Sequence, residues 1–238
     1  MTTFLITGAA RGIGLELARQ ILANGDRLHA AVRSVSPALA ALRESTPERC
    51  HLHVVDMADT DRFPALADDV AREEDHLDVV INVAGVYSRF SAAWNPETTG
   101  FDALDAEDLA YVFRVNSIAP VLLGKALTPL LSRAPRGRLV NLSSLLGSVG
   151  HKTSGADYAY CASKAALNIM TRALAVDLAP KGIIALAMTP GWVKTDMGGE
   201  NAMLTPEESV RGMLGVVERM TPADAGRFVD QEGVDQPW

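Results

Sequence analysis

The sequence predicts an α/β protein: one doubly wound parallel sheet of about seven strands with helices on both faces. Three observations carry that expectation. Short runs rich in Val, Ile and Leu recur along the chain, each is followed by a longer segment of helical period, and 238 residues suit one core better than two. A composition of 48% hydrophobic and 21% charged residues excludes a disordered or fibrous chain.

The strand-like runs are residues 4–7, 28–32, 51–56, 77–82, 138–143 and 183–188. Such apolar runs suit strands covered on both faces. Between them, amphipathic or alanine-rich stretches at 13–24, 62–73, 108–131 and 160–179 are long enough to be right-handed crossover helices. Asn24-Gly25 closes the first helix, and Pro206 with Glu207 and Glu208 suits the first turn of a late one. Neither a fixed-period repeat nor a low-complexity tract interrupts this alternation. The expectation is a single domain over 1–238, with loops near 86–105 and 191–206 lying over a crevice at the carboxyl ends of the strands.

Charge narrows the partners. With 22 basic against 29 acidic residues, a formal charge of −7 opposes phosphate-backbone binding, so nucleic acid is not expected. No stretch is apolar enough over about 18 residues to span a membrane, and no targeting segment is evident. Cys50 and Cys161 are the two cysteines, and no Cys/His cluster has zinc-ligand spacing, so the expectation is a cytoplasmic protein without a disulfide framework or metal.

The first strand runs into Thr7-Gly8-Ala9-Ala10-Arg11-Gly12-Ile13-Gly14 and then a helix. Glycines permit the sharp turn and a close backbone approach to a pyrophosphate, while the helix N-terminus offers unpaired N–H groups. Dinucleotide folds often place an acidic residue at the end of strand two to take the ribose hydroxyls. Here that strand ends His29-Ala30-Ala31-Val32-Arg33-Ser34, with no acid. Arg33 and Arg11 suit a 2′-phosphate, which favours NADP(H), with NAD(H) as the second candidate.

Tyr160 and Lys164 are four apart at the start of a helix, on one face. A nearby cation lowers a phenol pKa, so Tyr160 could exchange a proton with a carbonyl or alcohol oxygen. Asn141-Leu142-Ser143-Ser144 ends one strand and Asn82-Val83-Ala84-Gly85 another, both at the ligand side of the sheet. Pro120 lies four residues after Asn116 and cannot donate to its carbonyl, which is left free to hold water.

Thr7 to Gly14, Asn82 to Gly85, Asn116, Ser144, Tyr160 with Lys164, and Pro190-Gly191 followed by Thr195 appear in the order of the short-chain dehydrogenase/reductase family, which the sequence resembles over nearly its whole length. The resemblance implies a Rossmann fold binding NAD(P) and a small carbonyl or alcohol substrate. Gly8, Arg11, Gly12, Ile13 and Gly14 would cradle the phosphates, with Arg33 beside them. Asp56 and Met57 would take the adenine end, and Asn82, Ala84 and Gly85 would support the coenzyme. Pro190, Gly191, Val193 and Thr195 would hold the carboxamide end. Tyr160 would be the general acid in reduction, and Lys164 would bind the nicotinamide ribose and depress the Tyr160 pKa. Ser144 would polarise the substrate oxygen, and Asn116 would join a water relay to Lys164. Relatives form dimers or tetramers through long helices, so a homodimer or homotetramer is expected.

The chain departs from the commoner pattern between Ser144 and Tyr160, where three extra residues put Ser143, Ser144 and Ser148 in competition; the family's use of the second serine of such a pair favours Ser144. That stretch, Thr189 to Gly199 and Phe228 to Trp238 resemble sniffer-type carbonyl reductases and C-factor-like signalling proteins. The leading expectation is thus a carbonyl reductase; the alternatives are a coenzyme-binding signalling or sensor protein with vestigial reductase activity, and a nucleotide-sugar epimerase, for which the chain is short past Thr195. Tyr87, Phe90, Trp94, Leu145, Trp192, Met197 and Met203 fall in loops that could line an apolar pocket. His151 reads as a solvent-facing loop residue.

Overall fold

The computed structural model describes every residue except Trp94. Its strands are β1 (Thr3–Thr7), β2 (Arg27–Val32), β3 (Cys50–Val54), β4 (Val79–Asn82), β5 (Gly137–Leu142), β6 (Ile183–Met188) and β7 (Phe228–Val229). All pair in parallel in the order β3-β2-β1-β4-β5-β6-β7. The helices are α1 (Gly12–Ala23), α2 (Pro37–Ser45), α3 (Phe63–Glu73), α4 (Pro96–Thr99), α5 (Ala106–Phe113), α6 (Ala119–Leu131), α7 (Tyr158–Leu178) and α8 (Pro206–Arg219).

Strand periodicity divides the core. Phe4 and Ile6 of β1 pack with Leu17 and Ile21 of α1 and Met213 of α8 on one face. Leu5 packs with Phe63 of α3, Leu123 and Leu127 of α6 and Ala175 of α7 on the other. Alternate residues therefore serve opposite layers, which is why the strands read as unbroken apolar runs. The chain winds outward in opposite directions from β1, through β2 on one side and β4 on the other, and a crevice opens there.

Three departures from the sequence expectation have physical causes. The expected helix over 108–131 is divided by a π-helical turn at Arg114–Ile118, between α5 and α6. Pro120, which has no N–H for the ordinary i→i−4 bond, sits just beyond it. Helix α2 lacks a strong apolar stripe, since only Leu39 is buried; Ser36 caps it by accepting from the Leu39 N–H at 3.2 Å, with Pro37 following. Strand β7 is two residues long, too short for a periodic signal. No helix among the described residues is long and apolar enough to cross a membrane.

Candidate active site

The turn after β1 is locked by Thr7, whose hydroxyl accepts from the Val83 and Ala84 N–H groups at 3.0 Å each. Gly8 has φ +74°, and a Cβ there would lie 2.9 Å from the Ala84 Cα; one on Gly14 would lie 2.2 Å from the Gly8 carbonyl oxygen. Side chains at either position would push the turn off β4 and off its own helix. Helix α1 opens without a side-chain cap or an acidic residue in its first turn, so its positive end faces the crevice uncompensated.

That crevice has a volume of about 1240 Å³ and runs from this turn to Tyr160. Gly8, Arg11, Gly12, Ile13, Gly14, Arg33, Asp56, Met57, Ala84, Gly85, Pro190, Gly191, Val193 and Thr195 all line it, as do Ser144, Tyr160 and Lys164. Arg33 is exposed at the end of β2, with Ser34 and Ser36 also on the wall. Arg11 reaches across to Asp196 at 2.9 Å, both side chains largely exposed. Sequence reasoning did not anticipate that pairing.

At the far end, α7 presents Tyr160 and Lys164, both buried. The Lys164 Nζ donates to the Leu142 carbonyl at 2.7 Å and stands 5.8 Å from the Tyr160 ring centroid. Burial lowers Lys164 from 10.5 to about 8. Burial also pushes the Tyr160 phenol up to about 12, against an opposing hydrogen bond with Ser144. Desolvation is the largest influence on the phenol, and Ser144, not the Lys164 ammonium, is the group that opposes it. Gly85 lies beside Lys164 and Asn116: a Cβ on it would stand at ordinary contact distance, 3.6 Å from Lys164 Nζ and 3.5 Å from Asn116 Oδ1.

The three competing serines have separate surroundings. Ser144 lines the crevice and accepts from the Leu146 N–H at 3.1 Å. Ser143 lines it too, but its hydroxyl donates to the Lys164 carbonyl at 3.4 Å. Ser148 donates to the Trp238 carbonyl at 3.2 Å, away from Tyr160.

Two expected residues act from behind the wall. Asn82 donates to Asn141 Oδ1 at 2.8 Å and to the Pro120 carbonyl at 3.3 Å, tying β4 to β5 and α6. Asn116, fully buried in the π turn, donates to the Val86 carbonyl at 2.8 Å and to Ser163 Oγ at 3.0 Å, and accepts from the Val86 N–H at 2.8 Å. Both amide hydrogens are used, and Pro120, lacking an N–H, cannot donate to the Asn116 backbone carbonyl four residues before it.

Of the apolar candidates, Tyr87, Trp192 and Met197 line the crevice, whereas among the described residues Phe90, Leu145 and Met203 do not; Trp94 lies outside the described residues. Tyr87 stacks on Tyr160 with ring centroids 4.5 Å apart and planes 11° apart. Burial and the neighbouring Asp157 push the Tyr87 phenol up as well. Asp157 was not singled out from sequence. It lines the crevice with φ +55°, and its buried Oδ1 has no hydrogen-bond partner. No local pattern marks it, because a non-glycine residue in the left-handed region is visible only in the backbone.

A family model described as short chain dehydrogenase matches residues 2–203. The chain is 40% identical to C-signal of Myxococcus xanthus over 162 residues, which cover 68% of this chain and 93% of that protein. The carbonyl reductase Sniffer of D. melanogaster superposes with a TM-score of 0.90 at 31% identity, covering both chains completely. The NADPH-bound carbonyl reductase from chicken fatty liver gives a TM-score of 0.90 at 32% identity, covering 100% of this chain and 99% of that one.

Proposed function

The chain belongs to the short-chain dehydrogenase family, and on that premise we propose that it is an NADP(H)-dependent oxidoreductase moving a hydride between nicotinamide and a carbonyl or secondary-alcohol carbon. The crevice fits a dinucleotide: Gly8 and Gly14 stand where a Cβ would strike backbone, beside an uncapped helix end. Gly8, Gly12, Ile13 and Gly14 would hold the pyrophosphate, Asp56 and Met57 the adenine end, and Pro190, Gly191, Val193 and Thr195 the carboxamide. Arg33, with Ser34 beside it and no acid at the end of β2, supports NADP(H) over NAD(H), as does the NADPH bound by the chicken reductase. The bound nicotinamide supplies the hydride.

The chain itself supplies alignment and a proton. Tyr160, held protonated by burial, passes its proton to the carbonyl oxygen, and the Ser144 hydroxyl donates a hydrogen bond to the same oxygen. Lys164 has one of its three hydrogens on the Leu142 carbonyl, leaving two for a ribose hydroxyl and for the proton path. Water on the Asn116 carbonyl completes that path. Tyr87 and Asp157 wall the substrate side, one apolar and one carrying an open acceptor.

The buried juxtaposition of Tyr160, Ser144 and Lys164 in one wall carries this reading, because a protein that only bound coenzyme would need no proton donor there. Following NADPH oxidation with a panel of aldehydes, ketones and diketones tests it. Turnover that Tyr160→Phe removes is expected; equal turnover by that variant would sink the assignment. Both cysteines are free and buried, which supports a reducing compartment, the cytoplasm. The exposed apolar stripes of α6 (Leu122) and α7 (Ile169 and Val176) support self-association of two or four chains.

A further inference from the structure

Outside the crevice, β2 and β3 gather three imidazoles. Parallel pairing sets His29 beside His51, with His53 two residues along the same face of β3. The His29 ring stacks on His51 at 4.8 Å and on His53 at 5.2 Å between centroids. Helix α3 ends over them at Glu73, whose Oε2 lies 2.6 Å from His51 Nδ1 and 4.0 Å from His29 Nδ1. His29 Nδ1 is also 3.0 Å from His53 Nε2.

We propose that His29, His51, His53 and Glu73 bind one divalent transition-metal ion, Zn²⁺ foremost. Three nitrogens and one carboxylate oxygen suit a closed tetrahedral site for an ion of borderline softness. His29, His51 and Glu73 already offer one donor atom each within 4.8 Å of the others. Donors about 2.1 Å from a tetrahedral ion stand roughly 3.4 Å apart, so the stacked imidazoles would turn out of their stack to aim their nitrogens at one ion.

A second shell is in place. Glu74 Oε1 lies 3.2 Å from His29 Nε2 and 2.8 Å from Arg27 Nη1. A carboxylate paired with a guanidinium only accepts, so the hydrogen sits on His29 Nε2 and the Nδ1 lone pair faces the cluster. His51 turns Nδ1, not its buried and unpartnered Nε2, toward Glu73. Solvent reaches the site through Glu73, whose side chain is 44% exposed. The sequence carried no metal signal because the ligands meet only through the register of two parallel strands. The ion would fasten β3, an edge strand, to β2 and α3.

The test uses untagged, chelator-stripped full chain without coenzyme, so that its outcome is independent of the proposed reaction. Calorimetric titration with Zn²⁺ should give one ion per chain, Co²⁺ should develop the visible absorption of a tetrahedral site, and Zn²⁺ should raise the thermal midpoint by several degrees. His51→Asn and Glu73→Gln, both at partly exposed ligands, should each weaken Zn²⁺ at least tenfold, while His151→Ala on a distant loop should not. Absence of micromolar binding, or affinity unchanged in both ligand variants, would overturn the site.

Discussion

At Tyr160 and Lys164, burial has opposite consequences for charge: it keeps the phenol neutral at about 12 and loosens the ammonium's proton at about 8. The group that titrates near working pH is therefore the lysine. Carbonyl reduction should hold level below pH 8 and fall as Lys164 loses its charge above it, which a kcat/KM profile will show; a flat profile to pH 9.5 would exclude that role. Stability runs the other way. Between about 8 and 10.5 the unfolded chain holds a proton that the folded chain has released, so rising pH favours the fold. The shift is worth roughly 3 kcal/mol, and urea unfolding should show wild type gaining up to that amount relative to Lys164→Met across the window. Removing the proton donor with Tyr160→Phe should lower kcat by about 10²–10⁴-fold. Arg33→Ala should raise the Kd for NADPH at least tenfold while leaving NADH nearly unchanged; equal losses would overturn the phosphate assignment. That Tyr160, Lys164 and Ser144 share one wall was legible, the first two from their types and spacing and Ser144 from its place at a strand end and the family resemblance. The height of the Tyr160 pKa was not, since desolvation depends on residues brought in by Tyr87 and the loops, and Asp157 left no trace in the pattern.

The turn at Thr7–Gly14 and the π turn at Arg114–Ile118 show how an element can be read from sequence to different depths. The glycine positions were legible because each answers a local steric demand, now visible as a Cβ that would strike Ala84 or the Gly8 carbonyl. For the second, Pro120 announced a missing donor, but the helix does not end there. It shifts register for one turn and places the Asn116 amide on both backbone groups of Val86. Pro120→Ala supplies an N–H that could take the Asn116 carbonyl, so the thermal midpoint should hold or rise while kcat falls by up to about 10²-fold, the low end of what proton transfer contributes. Unchanged kcat would show that the carbonyl plays no part. Helix α2 and β7 escaped notice for a plainer reason, having too few buried residues to imprint a period.

For the whole molecule, the doubly wound parallel sheet followed from the alternation of runs, because right-handed crossovers put helices on both faces; the strand order and register are seen only in the structure. Self-association was expected only by resemblance, through the long helices at 108–131 and 160–179; which of their residues would face a second copy is not in the alternation. Helix α7 exposes Ile169 and Val176 at 66% and 72%, and Ala162 and Ala173 fall on the same side at helical spacing. The small residues let a second helix approach closely, and α6 adds Leu122 alongside. Two such faces related by a two-fold axis would be self-complementary, each chain offering the stripe that the other covers. Both α7 side chains are already in water, so Ile169→Glu with Val176→Glu should leave the fold intact while placing like charges across the axis. Light scattering after size exclusion should then report a multiple of 25.4 kDa for wild type and a single chain for the double variant, with unchanged circular dichroism. A wild-type chain that elutes alone, or a double variant that still associates, would place the interface elsewhere or remove it.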